Sequence, residues 1–255
     1  MALIAMAVYC TEENNKDEML IKTLFSLETS LKLKGHRLIL SVNAMTERTK
    51  TTLYTFRNII SEVIYNSSNI GTAEAINKAW AKRVPGENAI KMDDDVVIHH
   101  PDWVYLMEES IRRDPKIGQV GLKRRDCFEN PRHSDPFYRS TLDQLPHKPG
   151  EIWIVVEEVH HVMGTCVMHS AALLDKVGYL KQPKLYGFDD SLMSLRSRKA
   201  GFRNVFLTAV DIEHIDPGGT IFQSWKEKHA GEQWDAYHEQ IRNIAAGEIY
   251  YNPFK

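Results

Sequence analysis

Short apolar runs alternate with stretches of helical periodicity along most of this chain, and few folds accept that rhythm. Ala2 to Tyr9 reads as a strand, and Asp17 to Leu31 places Met19, Leu20, Leu24, Leu27 and Leu31 on one face of a helix. The order then repeats. Arg37 to Val42 is a strand, Thr46 to Ile59 is helical, Glu62 to Tyr65 is a short strand, and Thr72 to Arg83 is a helix ahead of the Pro85-Gly86 turn. Ala89 to Met92 makes a fourth strand. Strands that alternate with helices form βαβ units, whose crossovers build a parallel sheet covered by helices. At 255 residues the chain can bury such a sheet in one domain. The expected class is α/β, a single domain with a mostly parallel central sheet flanked by helices.

Pro101 to Arg113 reads as a helix opened by a proline in its first turn, and Ile117 to Leu122 as a strand. From Lys123 to about Glu151 the periodicity fails, interrupted by Pro131, Pro136, Pro146 and Pro149. Loops this long in compact domains are often lids or binding segments, so the stretch 123–151 is a candidate acceptor-side loop, with a plain surface excursion as the alternative. Glu157 to Met168 resumes as a strand, followed by a helix over Ala171 to Val177 and an apolar run from Asn204 to Val210. Ser224 to Ala246 has the pattern of one amphipathic helix, with Trp225, Trp234, Tyr237, Ile241 and Ile244 as its apolar members. The chain thus divides into a main domain over 1–220 and a C-terminal helical extension over 221–255, packed on or near the active site.

The fourth strand runs straight into Asp93-Asp94-Asp95, which Val96-Val97-Ile98 follow. Three adjacent carboxylates repel one another, and their hard oxygens suit Mg²⁺ or Mn²⁺, ions that bridge protein carboxylates to nucleotide phosphates. A solvated acidic turn is the other reading, because aspartate favours loops and exposed positions. Ligands of open parallel sheets gather outside the carboxyl ends of the strands, and that placement favours the cation and a nucleotide. A second acidic feature, Asp189-Asp190, lies in Leu185-Tyr186-Gly187-Phe188-Asp189-Asp190-Ser191. Asp189 can cap a helix whose first turn carries Asp190 and which Gly201 closes. Capping requires one aspartate, not two.

Composition removes several classes. Lys and Arg total 32 against 34 Asp and Glu, so there is no global footprint of a nucleic-acid binder, although Lys123-Arg124-Arg125, Arg132 and Arg139 could contact phosphates locally. Cys10, Cys127 and Cys166 are too few and too scattered for a disulfide framework or a thiolate metal site, which favours a reducing, cytoplasmic setting. Met1 to Val8 lacks a basic leader, is too short to span a bilayer, and precedes Glu12 and Glu13, so it is a poor signal peptide.

Taken in order, these segments resemble the glycosyltransferases of the GT-A fold (nucleotide-diphospho-sugar transferase, Rossmann-like), in particular the large family 2 of inverting enzymes that use nucleotide sugars. Asn69-Ile70-Gly71, with Ala75 and Asn77, is similar to the family's stretch before the metal strand, and Asp93-Asp94-Asp95 is similar to its Asp-x-Asp motif. Gly164-Thr165-Cys166 resembles part of the acceptor-side floor, and Asp189-Asp190 with Arg196 and Gly201 falls at the spacing of the acidic pair, helix arginine and closing glycine. The resemblance implies Mn²⁺ or Mg²⁺ as cofactor, with Asp95, Asp93 and His214 as its ligands. It implies a donor site drawn from Asn43, Asn69, Gly71, Asn77, Asp93 and Asp94, and Asp190 as general base supported by Asp189. Two adjacent carboxylates can raise one another's pKa, which helps such a base near neutrality. Two positions depart from the family: Asn43 stands where an acidic residue often contacts the nucleotide base, and Leu192 where many members have a further aspartate. His99-His100, His160-His161 and His169 have no partner at ligand spacing, and Trp80, Trp103 and Trp153 read as packing residues, although Trp153 could stack on a sugar.

The implied function is metal-dependent inverting transfer of a sugar from a nucleotide-diphosphate donor to an acceptor hydroxyl, a saccharide by default. A hydroxymethylated DNA base, extruded from its stack, is an alternative acceptor of the kind used by virus-encoded enzymes. A nucleotidyltransferase would need a glycine-rich basic turn after the first strand, which Cys10-Thr11-Glu12-Glu13-Asn14-Asn15 does not provide. A non-catalytic sugar- or nucleotide-binding protein is the reading from another class.

Overall fold

The computed structural model describes residues 1–14, 16–31, 35–129, 140–216 and 231–255. Arg132, Arg139 and Trp225, like Pro131 and Pro136, lie outside them. The first half follows the alternation read from sequence: β1 (Leu3–Tyr9), α1 (Asp17–Leu31), β2 (Arg37–Ala44), α2 (Glu47–Thr55), β3 (Glu62–Tyr65), α3 (Thr72–Trp80) and β4 (Ala89–Met92). There follow β5 (Val96–Val97), α4 (Trp103–Arg113), β6 (Ile117–Arg124), α5 (Asp126–Glu129), β7 (Thr141–Gln144), β8 (Val155–Val159), β9 (Cys166–His169), α6 (Ala171–Val177), α7 (Asp189–Lys199), β10 (Arg203–His214) and α8 (Trp234–Ala245).

The sheet order is β3-β2-β1-β4-β9-β6-β10-β8-β7, with β5 pairing onto β10. Strands β3, β2, β1 and β4 are mutually parallel, and so are β6 and β10. Strand β9 sits antiparallel between β4 and β6. Successive residues along β1 serve opposite faces: Ile4, Met6 and Val8 join one core cluster, as does Ala2 just before the strand, and Leu3 and Ala5 join the other. A strand buried on both sides must be apolar throughout, which is why β1 shows an unbroken apolar run. Each fully buried leucine contributes about 1.5–3 kcal/mol relative to exposure.

Three expectations are corrected. The single strand expected over Glu157 to Met168 is two, β8 and β9, which lie in different parts of the sheet. The turn between them tucks Val162 against Val159, Val167 and Phe206, so its middle reads as apolar as a strand. The segment read as a loop from Lys123 contains the end of β6, the short α5, and β7, whose Thr-Leu-Asp-Gln sequence is mostly exposed at the sheet edge and lacks an apolar signature. Of the helix expected over Ser224 to Ala246, 224–230 lie outside the described residues, and a turn at 232–233 sets α8 apart from residue 231.

One carboxylate in α4 carries a stability prediction. Glu109 accepts from Arg112 Nε at 2.7 Å and Arg113 Nε at 2.7 Å, and these bonds, the Arg112 bond foremost, hold its carboxyl down at about 2. A carboxyl more acidic in the folded chain than its ordinary 4.5 stabilises fully above pH 4.5 and loses that contribution as pH falls towards 2. Glu109→Gln should cost about 1.5–3 kcal/mol at pH 7. The difference from wild type should shrink by pH 3 in chemical denaturation, and an equal difference at both pH values would contradict the assignment.

Candidate active site

Strand β4 delivers the three aspartates to the carboxyl edge of the sheet, where the Asp93 N–H donates to Thr165 O at 3.0 Å. The triad does not act as one group, because each carboxylate faces a different neighbour. Lys16, at the start of α1, reaches Asp95 Oδ2 at 2.7 Å and Asp94 Oδ1 at 3.2 Å. Asp94 Oδ2 also accepts the Tyr9 N–H at 3.3 Å, so Asp94 ties the end of β1 to the acidic turn. Burial alone would depress the Lys16 ammonium, but Asp94 and Asp95 outweigh it and hold it well above the ordinary lysine value.

Lys91 is the second buried cation. It lies two residues before Asp93 on the same strand face, with Nζ 2.7 Å from Gly164 O, 3.2 Å from Asp93 Oδ1 and 3.5 Å from Asp189 Oδ2. The approach is close enough that a Cβ at Gly164 would stand 2.6 Å from that Nζ and 3.1 Å from Asp190 Cβ, so a side chain there would displace the ammonium. Burial raises the carboxyls of both Asp93 and Asp189, and Lys91 counters it.

His214 reaches the same turn by a register that sequence did not show. Strand β10 bends over to pair antiparallel with β5, setting His214 opposite Val96, and Ile215 N–H donates to Asp95 O at 2.9 Å. His214 Nε2 consequently lies 3.4 Å from Asp95 Oδ1. Carboxylate oxygen with imidazole nitrogen is a donor set that suits Mn²⁺, so the residues fit the expected ion. Among the described residues no three His, Cys, Asp or Glu side chains are gathered into a cluster that could hold it, since Asp93 is drawn towards Lys91.

The acidic pair opens α7, whose N-cap is Phe188 and not Asp189 as the sequence suggested. Phe188 has φ 66, a left-handed conformation that costs a bulky residue about 1–3 kcal/mol. Its ring stacks on Tyr237 of α8 at 4.2 Å, which helps to hold it there. Asp190 Oδ1 accepts the Ser191 N–H at 2.7 Å, and Oδ2 accepts the Gly164 N–H at 3.0 Å and lies 3.3 Å from His161 Nε2. Burial disfavours the charged form, yet the bond and charge of His161, the charge of Lys91 and the Gly164 N–H hold Asp190 well below the usual carboxylate range. The two carboxyls therefore diverge, Asp189 up and Asp190 down, where mutual elevation was expected. Arg196 donates to Val177 O at 2.9 Å and Tyr179 O at 2.6 Å, clamping the chain that leads towards the pair.

Of the residues expected to form the donor site, Asn43 is buried and donates to Gly71 O at 3.2 Å, while its Oδ1 accepts from Asn66 Nδ2 at 3.1 Å. Asn69 Oδ1 accepts the Gly71 N–H at 3.0 Å, a local Asx bond that shapes the turn into α3. Gly71, at φ 85, is pressed against Leu185, whose carbonyl oxygen would lie 2.8 Å from any Cβ there. Asn77 lies deeper: its amide donates to Leu180 O at 2.8 Å and accepts the Leu180 N–H at 3.0 Å, so it fastens α3 to the approach to α7. Trp80 and Trp103 are fully buried, as packing residues are, whereas Trp153 is exposed with its ring 4.4 Å from that of His147. The basic run is neutralised within the chain: Lys123 pairs with Glu157 at 2.9 Å, Arg125 with Glu213 at 2.7 Å, and Arg124 with Asp126.

Sequence reasoning did not single out Lys16 or Lys91 and set His161 aside. A lysine inside an apolar strand, two residues from an aspartate, was the available signal for Lys91. Nothing local could announce His161, whose partner lies on another element.

No family model matches the chain, and no curated protein is detectably similar in sequence. Solved structures do match. The mannosyltransferase PcManGT from Pyrobaculum calidifontis, in complex with GDP-Man and Mn²⁺, superposes on 94% of this chain with a TM-score of 0.65 and 16% identity. S. aureus TarS 1–349 in complex with UDP-GlcNAc covers 86% of it at a TM-score of 0.60 and 15% identity. This chain has the GT-A fold. GalNAc-T7 with UDP, GalNAc and Mn²⁺ is similar over 93% of the chain at a TM-score of 0.56 and 13% identity. At these identities the likeness is one of fold, and this GT-A chain spans 64%, 61% and 50% of those three chains respectively. Among the described residues no helix is long and apolar enough to cross a membrane.

Proposed function

We propose that this chain is a metal-dependent, inverting glycosyltransferase that moves a sugar from a nucleotide-diphosphate donor to a hydroxyl of a saccharide acceptor. One observation carries the reading: the Lys91 ammonium touches both Asp93 and Asp189, so the carboxylates of the cation turn and those of α7 share one site. Inverting transfer needs a stabiliser for the departing diphosphate on one side and a proton acceptor on the other, and this site has candidates for both. Asp95 and His214, with Asp93 as the expected third ligand, would hold Mn²⁺ or Mg²⁺, which when bound supplies positive charge to the leaving diphosphate. Asp93 meets the ribose or the cation, and Asn43 meets the base of the nucleotide. The backbone of the Asn69 to Gly71 turn lines the donor. Asp94 and Asn77 serve the donor site indirectly, by holding Lys16 and Leu180. Asp190 is the general base on the acceptor side, supported by Asp189, which Lys91 holds.

Among the described residues of that loop, Lys123, Arg124 and Arg125 each pair with a carboxylate, which favours a saccharide over a DNA base as acceptor. The three cysteines are free and buried, which suits a reducing, cytoplasmic setting.

The first test is thermal shift with a panel of nucleotides and nucleotide sugars, with and without Mn²⁺. One nucleotide series should raise Tm, by the equivalent of about 2.7 kcal/mol at a hundredfold excess over Kd. EDTA should remove the shift. Silence across the panel would sink the transferase reading, and a shift without any turnover would favour the non-catalytic binder.

A further inference from the structure

We infer that the chain carries a second small-molecule site, behind the strand that bears His214, which takes a compact organic anion: one phosphate or carboxylate group on an apolar or ring-shaped body. The site stands independently of the transferase reading.

Helix α1 turns one face to the core, where Leu20, Leu24, Leu27 and Leu31 are buried. Lys22, Phe25, Ser26 and Ser30 fall at the three- and four-residue spacings of a neighbouring face. With β5, the turn at 98–101 and the end of β10, that face encloses a cavity of about 500 Å³, which is within the range of small-molecule sites. Glu213 and Ile215 line it. The pairing of β10 with β5 carries on in the bond from Ile215 N–H to Asp95 O, and the alternation of extended chain turns His214 to the opposite face, where it meets Asp95. The cavity and the cation turn therefore share a wall and lie on its two sides.

Hydrogen bonding fixes what the cavity can recognise. Ser26 Oγ donates to Thr23 O at 2.8 Å and accepts the Ile98 N–H at 3.3 Å. Ser30 Oγ donates to Leu27 O at 3.2 Å and accepts Trp103 Nε1–H at 3.1 Å, so both hydroxyls serve the wall itself. Glu213 is the one carboxylate among the described residues of the lining, and it meets Arg125 Nη1 at 2.7 Å and His99 Nε2 at 3.5 Å, which balances its charge. His100 Nδ1 accepts the Asp102 N–H at 3.1 Å, so the neutral ring carries its hydrogen on Nε2. What the cavity offers a ligand is thus donors, the His100 Nε2–H and the Lys22 ammonium.

Donors without a matching carboxylate select a ligand that accepts, an anion foremost, because charge-assisted bonds are the stronger ones. The other walls are apolar, formed by Val97, Ile98, Pro101 and Ile215. Phe25 is 69% exposed, and it stands three residues from Lys22, so ring and ammonium lie side by side on the helix. An exposed ring at the edge of a cavity presents its face to a flat or apolar body. A bare inorganic anion would use only the donors, and an uncharged ring only the apolar walls.

Isothermal titration calorimetry of the full chain, run in EDTA to keep the cation-dependent nucleotide site out of the reading, tests the two halves separately. The probes are phenyl phosphate and benzoate, with inorganic phosphate and phenol as the half-ligands. Phenyl phosphate or benzoate should bind at least about tenfold more tightly than either half-ligand, as one charge-assisted bond or one stacked ring would give. Lys22→Met and Phe25→Ala, both at exposed positions, should each weaken that probe by about tenfold while the apo Tm holds, and Lys22→Arg should retain most of the affinity. In a methyl NMR titration the signals of Val97, Ile98 and Ile215 should move. Equal affinity for phenol would remove the anion from the inference, and equal affinity for inorganic phosphate would remove the body; either overturns it. So would binding that both variants leave unchanged, or an absence of binding at millimolar probe. None of these failures touches the nucleotide-dependent Tm shift, on which the transferase reading is tested.

Discussion

Asp95→Ala is expected to lower transfer by roughly a thousandfold and to remove the Mn²⁺-dependent part of the nucleotide's thermal shift. The magnitude follows from about 4 kcal/mol of leaving-group stabilisation at 1.36 kcal/mol per decade of rate. Asp95 is the residue for this test because it is the carboxylate adjacent to His214, at 3.4 Å, and its side chain is only 3% exposed. The substitution also removes the nearer partner of Lys16, at 2.7 Å, and leaves that ammonium to Asp94 at 3.2 Å. Loss of one carboxylate from a crowded acidic turn relieves repulsion as it removes an ion pair, so the two stability effects oppose each other. The apo Tm should therefore move much less than the nucleotide-induced shift. Full activity with an unchanged Mn²⁺ response would remove Asp95 from the cation site. Collapse of the apo Tm, with residual folded enzyme still responding to Mn²⁺, would make Asp95 a structural partner of Lys16.

Legibility in the sequence followed the range of the interactions. Strands and helices of the first half are set by local periodicity, and Glu62–Tyr65 and Ala89–Met92 lie within the bounds expected from it. The acidic turn was legible because like charges at the end of an apolar run conflict unless something resolves them. What resolves them here was not legible. Lys16 arrives from the start of α1, and His214 arrives because β10 continues past its parallel partner to pair with Val96 and Val97. Register between distant strands has no local code. The turn at 160–165 hid for the opposite reason, since Val162 and Met163, packed in the core, make it look like strand. Phe188 in place of Asp189 as the N-cap is a case of tertiary packing overriding a propensity, with Tyr237 stacked on the strained residue.

Asp190→Asn should cut kcat by about 10²–10⁴-fold while leaving donor binding unchanged, and the reason lies in what the amide can and cannot replace. Its carbonyl oxygen can still accept from a backbone N–H, either Ser191 or Gly164, so the start of α7 keeps its place. An amide cannot take up the proton of the acceptor hydroxyl, so the variant lacks the expected base. The loss therefore falls on the transition state and not on the ground state, which places it in kcat. Asp189→Asn makes the contrasting control. Asp189 faces Lys91, which keeps Asp93 and Gly164 O as partners, so that substitution should act on stability and on KM more than on kcat. Asp190→Asn with full transfer, set beside an inactive Asp95→Ala, would show that the leaving-group half of the site is right and the proton half is not. Equal losses of kcat from both aspartates would mean that the pair acts as one unit, and the division between Lys91–Asp189 and His161–Asp190 would have to be abandoned.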